Sequence, residues 1–266
     1  MQPKTFQPMI LRWYRRNGRP DLPWRKTRDP YHILVSEIML QQTQVDRVME
    51  KYHRFIKRFP TVEKLARAKR SSVIKAWQGL GYNRRAIYLQ QAAQEIINIG
   101  RWPKTAEALQ TLSGVGPYTA AAVVVFAFNS PVTMIETNIR RVFIHHFFPN
   151  RTRVTDRQLL PLITDTLYRK NPRLWYSALM DYGAIALQHV TNPNRRSRQY
   201  TRQSPFTGSD RQIRGAIIRL LTVERRLTRA QILRRLGFAP ARLQEQLTAL
   251  SAEGFVRQTR QLYSLA

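Results

Sequence analysis

The chain has 266 residues, of which 43% are hydrophobic and 10% aromatic, so it can bury a substantial core and is not disordered throughout. Its 45 Lys and Arg residues outnumber 16 Asp and Glu residues. The formal net charge of +29 favours nucleic acid as partner over a ribosome, a membrane surface or an arginine-biased proteome. The sequence contains no cysteine, which excludes disulfides, thiolate zinc sites, cysteine-ligated iron–sulfur clusters and cysteine nucleophiles.

Residues 5–190 are predicted to form consecutive helices, because apolar residues recur at spacings of three and four and strand-like alternation is scarce. The pairs Asp29-Pro30, Thr155-Asp156 and Asn171-Pro172 predict helix starts. The polar, basic stretch that follows predicts a linker, and three helices with a strand hairpin come after it. We therefore expect an all-α domain over 1–190, a basic linker over 191–211 and a winged-helix-like domain over 212–266.

The sequence favours a cytoplasmic protein with no membrane partner. Its longest apolar run, residues 118–128, is about half as long as a helix that crosses a bilayer, and the N-terminus lacks the apolar segment of a signal peptide.

The segment LVSEIMLQQTQV, residues 34–45, places one carboxylate and three amides in an otherwise apolar helix. If the helix continues through the segment, Glu37 shares a face with Ile33, Gln41 and Gln44. An ion pair with an arginine would be the ordinary explanation for a single acidic residue there. The alternative is a functional role for the carboxylate, which the motifs further along the chain favour.

The segment LSGVGPYTA, residues 112–120, predicts a tight turn followed by a helix that starts at Pro117. The backbone N–H groups of Gly114, Val115 and Gly116 would then be exposed together, a geometry that binds phosphate oxygens without reading bases. An ordinary turn between helices is the alternative.

Further along, Glu136 precedes Asn138 at another predicted helix start, where capping would be its ordinary role.

Four motifs occur in order along the chain: LPWR at 22–25, SEIMLQQTQV at 36–45, WQGLGYNRRA at 77–86 and LSGVGPYTA at 112–120. Together they resemble the MutY-type adenine DNA glycosylases of the helix-hairpin-helix superfamily, which includes endonuclease III. The resemblance covers residues 8–190. It implies an enzyme that flips a base out of duplex DNA into a pocket between two helical subdomains and breaks its bond to deoxyribose.

The resemblance also implies catalytic roles. Glu37 matches the general acid that protonates adenine N7 and helps to activate water. Glu136 stands where the family has an aspartate that stabilises the sugar cation, with Asn138 in support. Tyr118 stands where members with lyase activity carry a Schiff-base lysine, which implies a monofunctional glycosylase.

Gln42 matches a glutamine that wedges into the base stack, and Tyr82 matches an intercalating tyrosine. The other predicted DNA contacts are Leu22 and Arg25 at the pocket, Gln41 and Gln44 near the flipped base, Gly114, Val115 and Gly116 at the hairpin, and Arg195, Arg196 and Arg198 on phosphates.

The chain departs from the family pattern at three places. Glu136 has a longer arm than aspartate, and Leu187 stands where most relatives begin the four cysteines of an iron–sulfur cluster. Residues 212–266 are too short and too helical for the oxoguanine-reading domain of full-length MutY proteins. We therefore expect no iron–sulfur cluster and no catalytic metal, while the resemblance suggests a monovalent ion at the hairpin.

These observations predict an all-α, two-subdomain helix-hairpin-helix glycosylase fold with a small C-terminal α+β domain. The expected protein is a nucleoid-associated monomer that binds double-stranded DNA with a mismatch or damaged base. It would excise adenine opposite 8-oxoguanine or guanine. A thymine or uracil glycosylase acting opposite guanine and a catalytically silent DNA-binding protein remain the alternatives.

Overall fold

The computed structural model describes residues 2–266 and is predominantly helical, as predicted. The helices before residue 190 are α1 Pro3–Asn17, α2 Pro23–Lys26, α3 Pro30–Leu40, α4 Val45–Arg58, α5 Val62–Ala66, α6 Arg70–Ala76, α7 Arg84–Ile99, α8 Ala106–Gln110, α9 Pro117–Phe128, α10 Thr137–Phe147, α11 Asp156–Asp165, α12 Pro172–Asp181 and a π-helix Tyr182–Ala186. The later elements are a 3-10 helix Pro193–Arg196, α13 Asp210–Val223, β1 Leu227–Thr228, α14 Arg229–Leu236, α15 Pro240–Ala252, β2 Val256–Thr259 and β3 Leu262–Leu265.

The three predicted helix starts are confirmed by their caps. The Asp29 carboxylate accepts the backbone N–H of Tyr31 at 2.8 Å, and Asn171 accepts that of Leu174 at 3.1 Å. Thr155 forms a capping box with Gln158. These side chains satisfy N–H groups that the first turn of a helix leaves without a partner.

The first of two compact units comprises the chain up to Glu37 and residues 102–202. Its interior is built around α9, where the nine residues from Thr119 to Ala127 are all buried. Because these residues are mainly alanine and valine, neighbouring helices can cover α9 on every side. Aromatic packing adds to this core, with Phe6 in edge-to-face contact with Phe143 and Trp175.

The second unit comprises residues 38–101 and 203–266. Its C-terminal part contains α13, α14, α15 and an antiparallel sheet in the order β1-β3-β2, in which Val256 pairs with Leu265. The predicted hairpin and winged-helix-like arrangement are present. The hydrophobic core of this part extends into Ile74 of α6 and Ile87 of α7. The domain limits at 190 and 211 stay predictions.

Within residues 2–266, each helix is too short or too polar to span a lipid bilayer.

Candidate active site

Glu37 lies in a helix that is buried on all sides. Residues 33–39 of α3 are all buried, and Glu37 itself is 6% exposed. The helix ends at Leu40, so the expected continuous stripe from Ile33 through Gln41 to Gln44 is wrong. Gln41 and Gln42 lie in a turn, and Gln44 directly precedes α4 without a capping side-chain hydrogen bond. Glu37 is therefore the one acidic residue of a mainly apolar helix.

The predicted hairpin forms between α8 and α9. Gly114 has φ +72°, in the left-handed region that glycine tolerates, and Gly116 caps α9 ahead of Pro117. Gly114 and Gly116 are exposed, but Val115 is buried and its N–H already donates to the carbonyl of Leu112 at 3.1 Å. The turn thus offers fewer N–H groups to a phosphate than the sequence suggested.

Tyr118, in the first turn of α9, connects the hairpin to the acid. Its hydroxyl donates a hydrogen bond of 2.8 Å to Oε2 of Glu37. Burial raises the pKa of the Tyr118 phenol well above its usual value, and the nearby carboxylates of Glu37 and Glu136 add to this rise. Tyr118 is therefore a neutral donor at neutral pH.

Glu136 caps α10, and its Oε1 accepts the backbone N–H groups of Asn138 at 2.7 Å and Ile139 at 2.8 Å. The Asn138 amide is also within 3.4 Å of Oε2. Gly183 of the π-helix lies so close that a Cβ there would be 2.6 Å from the carbonyl oxygen of Asn138. A larger residue at 183 would displace the start of α10 and with it the Glu136 carboxylate.

The two acids respond to the same environment. Burial raises the pKa of Glu37 to about 7, with Glu136 adding to the rise, while the Tyr118 hydrogen bond and the charge of Arg25 oppose it. Burial also raises the pKa of Glu136, against the backbone N–H groups of Asn138 and Ile139 and two arginine charges. The Glu37 carboxyl can thus hold a proton near neutral pH. The Glu136 carboxyl accepts hydrogen bonds that favour its ionised form.

Gln42 and Tyr82 both have a backbone conformation with positive φ. Their φ angles are +55° and +45°, a left-handed conformation that non-glycine residues rarely adopt. Both side chains are exposed, Tyr82 by 37%. The structure thus presents the two residues predicted to enter the base stack on turns rather than within helices.

Similar proteins are known. A base excision DNA repair family, the HhH-GPD superfamily, matches residues 35–165. The adenine DNA glycosylase of Mycobacterium tuberculosis strain H37Rv is 34% identical over 252 residues, covering 84% of this chain and 81% of that protein. This chain belongs to the adenine DNA glycosylase family.

Two further likenesses bear on this family member. The adenine DNA glycosylase of Buchnera aphidicola subsp. Baizongia pistaciae is 35% identical over 187 residues, and the match spans about half of that protein, 52%. A solved structure of a thermostable thymine-DNA glycosylase has a TM-score of 0.61 and 32% identity, covering 69% of this chain and 86% of the other. The first supports the family assignment, and the second shows that the fold is that of a solved DNA glycosylase structure.

The predicted pocket residues of this adenine DNA glycosylase family member are tied into its fold. Leu22 is buried, and Arg25, 11% exposed, pairs with the fully buried Asp181 at 2.6 Å. Arg19 pairs with the same carboxylate. Although burial works to raise it, the hydrogen bonds from Arg25 and Arg19 hold the pKa of Asp181 below its usual range. The positive charge of Arg25 lowers the pKa of Glu37. The predicted contact of Arg25 with DNA stays a prediction.

The three predicted phosphate contacts differ in their surroundings. Arg195 and Arg198 are exposed, whereas Arg196 donates to the carbonyls of Phe148 and Pro149. A parallel bridge between Val154 and Ser197 holds this segment in place. The structure leaves the guanidinium groups of Arg195 and Arg198 accessible to DNA and uses that of Arg196 inside the fold.

The residues of this chain do not fit an iron–sulfur cluster, since the sequence has no thiolate to hold one. A monovalent ion at the hairpin would take backbone carbonyls as ligands. Those of Leu112 and Gly116 already accept the N–H groups of Val115 and Ala120, and the ion stays a prediction. Among the described residues, no group of three His, Asp or Glu side chains could hold a metal.

Sequence reasoning missed Arg85, which is 9% exposed. Its guanidinium donates to the carbonyls of Ile38 at 2.7 Å and Gln41 at 2.6 Å, and to those of Leu80 at 3.1 Å and Gly81 at 3.0 Å. Arg85 therefore joins the turns that carry Gln42 and Tyr82. Its place within WQGLGYNRRA was visible, but no sequence signal separates it from the other basic residues.

Proposed function

We propose that this protein is a monofunctional DNA glycosylase that excises adenine opposite 8-oxoguanine or guanine. One observation carries the proposal: Glu37 is buried, and its pKa is raised to about 7. Its carboxylate accepts a hydrogen bond from Tyr118. The charge of a second carboxylate, Glu136, contributes to the raised pKa. Membership of the adenine DNA glycosylase family and the charge of +29 support the same conclusion.

In the proposed reaction, protonated Glu37 donates its proton to N7 of an adenine that has left the base stack. The bond between C1′ and N9 then breaks, and its electron pair leaves with the base. The Glu136 carboxylate stabilises the positive charge that develops on the sugar, as carboxylates do in glycoside hydrolysis. Water adds to C1′ and gives its proton to the Glu37 carboxylate, which restores the acid.

Tyr118 supports a monofunctional reaction. A Schiff base with the opened sugar requires an amine, and a phenol cannot form one. Here the phenol is instead a hydrogen-bond donor to the acid, which holds the Glu37 carboxyl in one orientation. We expect an intact abasic site as product, without an adduct that borohydride can trap.

The second candidate is a thymine or uracil glycosylase acting opposite guanine. The 32% identity with a thermostable thymine-DNA glycosylase favours keeping it. A silent DNA-binding protein is less well supported, because burying an ionisable carboxyl opposes folding above its pKa and has no evident use without proton transfer.

The test is a panel of duplexes that contain A opposite 8-oxoguanine, A opposite G, T opposite G, U opposite G and U opposite A. Each duplex is incubated with the protein and then treated with alkali to cut abasic sites. We expect cleavage of the two adenine duplexes only. Cleavage of the pyrimidine duplexes alone would assign the second candidate, and no cleavage at all would favour the silent protein.

A further inference from the structure

The C-terminal part of the chain contacts Gln42 and Tyr82, the two residues that the family resemblance predicts to enter the base stack. The Arg211 guanidinium, at the start of α13, donates a hydrogen bond of 2.8 Å to the Tyr82 hydroxyl. Its central carbon lies 5.8 Å from the centre of the Tyr82 ring. The Gln203 amide donates to Oε1 of Gln42 at 3.1 Å. One segment therefore meets two separate turns of the same unit.

Ion pairs and a shared hydrophobic core lie beneath these contacts. Glu253, at the end of α15, accepts ion pairs from Arg84 of α7 at 2.6 Å and from Arg214 of α13 at 2.5 Å. The hydrophobic core that includes Ile217 of α13 continues into Ile87 of α7. Because α7 begins two residues after Tyr82, the position of α13 and the position of Tyr82 are fixed by the same packing.

Arg211 is itself oriented by the chain around it. Its Nη2 donates to the carbonyl of Ser204 at 2.7 Å, while its Nη1 is directed to Tyr82. The guanidinium is planar, always charged and has five donors, so it is suited to bind a purine edge or a phosphate.

We propose that Arg211 is a specificity-determining residue that contacts the purine opposite the excised base. This inference rests on the proposed function. When the target base leaves the stack, a tyrosine that enters the duplex comes to lie beside the base that remains. A guanidinium hydrogen-bonded to that tyrosine enters the same region of the duplex. Guanine and its 8-oxo form both present an O6 acceptor that arginine recognises, and cytosine does not.

The proposal also gives the C-terminal part of the chain a role in recognition. Arg211 and Gln203 lie in the same compact unit as Tyr82 and Gln42 and contact those two side chains. Recognition of the opposite purine would then be built onto the same unit as the intercalating residues.

The test measures binding, so that it does not depend on excision. In the full-length Glu37→Gln background, dissociation constants are measured for three duplexes with adenine opposite 8-oxoguanine, guanine or cytosine. We expect Arg211→Ala to reduce the preference for 8-oxoguanine over cytosine by at least about fivefold, the lower limit for loss of one arginine–guanine contact. Arg211→Lys keeps the charge, so it should retain more of the overall affinity than Arg211→Ala.

The matched control is Arg219→Ala, which removes one exposed arginine from the same helix. It should leave the preference unchanged. An unchanged preference in Arg211→Ala would overturn the proposal, as would a loss of equal size on all three duplexes, which would indicate a phosphate contact. Absence of any preference in the parent protein would overturn it too. Failure of the proposed function is seen separately, as absence of adenine release by the wild-type protein.

Discussion

The hydroxyl of Tyr118 donates to the carboxylate of Glu37 across a sequence separation of 81 residues. The bond joins the helix that leaves the hairpin to the helix that carries the acid. Because the donor stabilises the ionised form, it lowers a pKa that burial otherwise raises. The pKa of about 7 is therefore the result of two opposed effects, and each of them can be changed by a single substitution.

Glu37→Gln should abolish excision while DNA binding remains. A glutamine has nearly the same shape but cannot donate the proton, and loss of a general acid lowers rates by about 10²- to 10⁴-fold. Single-turnover release of adenine, followed with a dissociation constant for the same duplex, measures both effects. Glu245→Gln, at an exposed position of α15, is the control. Undiminished turnover in Glu37→Gln would rule out the proposed mechanism.

Tyr118→Phe should shift the pH dependence of excision. Removing the hydroxyl takes away a bond that lowers the pKa of Glu37, so the pKa rises and the acid stays protonated to higher pH. For the wild type we expect the basic limb of the rate profile at about pH 7, and in Tyr118→Phe this limb should move to higher pH. Single-turnover rates from pH 5 to 9 measure this limb. A limb that stays in place or moves to lower pH would contradict the assignment of Glu37 as the titrating group.

Stability should depend on pH through Glu37. Its folded pKa of about 7 lies above the ordinary 4.5, so its stabilising contribution is complete below pH 4.5 and is lost as pH rises through 7. The difference corresponds to about 3 kcal/mol at most. Urea unfolding should therefore show wild type losing stability relative to Glu37→Gln between pH 4.5 and pH 8. A constant difference across this range would mean that the carboxyl is not held as described.

Glu136→Gln should separate charge from capping. The amide oxygen can still accept the N–H groups of Asn138 and Ile139, so the change in unfolding free energy should stay below about 1 kcal/mol. The negative charge opposite the sugar cation is lost, and excision should fall sharply. Glu136→Asp keeps both the charge and a good capping group and should remain active. Equal activity in Glu136→Gln and wild type would remove Glu136 from the mechanism.

Local rules predicted the elements around the site well. Proline and capping residues located the starts of α3, α11 and α12, and paired glycines with Pro117 located the hairpin. The end of α3 was misplaced, because the apolar spacing continues past Leu40. At that point the Arg85 guanidinium donates to the carbonyls of Ile38 and Gln41, a tertiary contact that local spacing does not record.

The same limit applies to the charged residues. Arg84 and Arg85 are neighbours in sequence, yet Arg84 pairs with Glu253 near the surface and Arg85 is buried among carbonyls. Arg25 was expected at the DNA, but its strongest partner, Asp181, lies 156 residues away. Which arginine faces solvent and which is enclosed depends on contacts between distant segments, and a local pattern does not record them.

Arg85 also has a consequence for how the enzyme meets its substrate. Its hydrogen bonds hold two strained turns in place before any duplex arrives, so the loss of conformational freedom that accompanies their ordering occurs when the chain folds. In the proposed reaction, the free energy of binding can then serve to open the base stack instead of organising a loop.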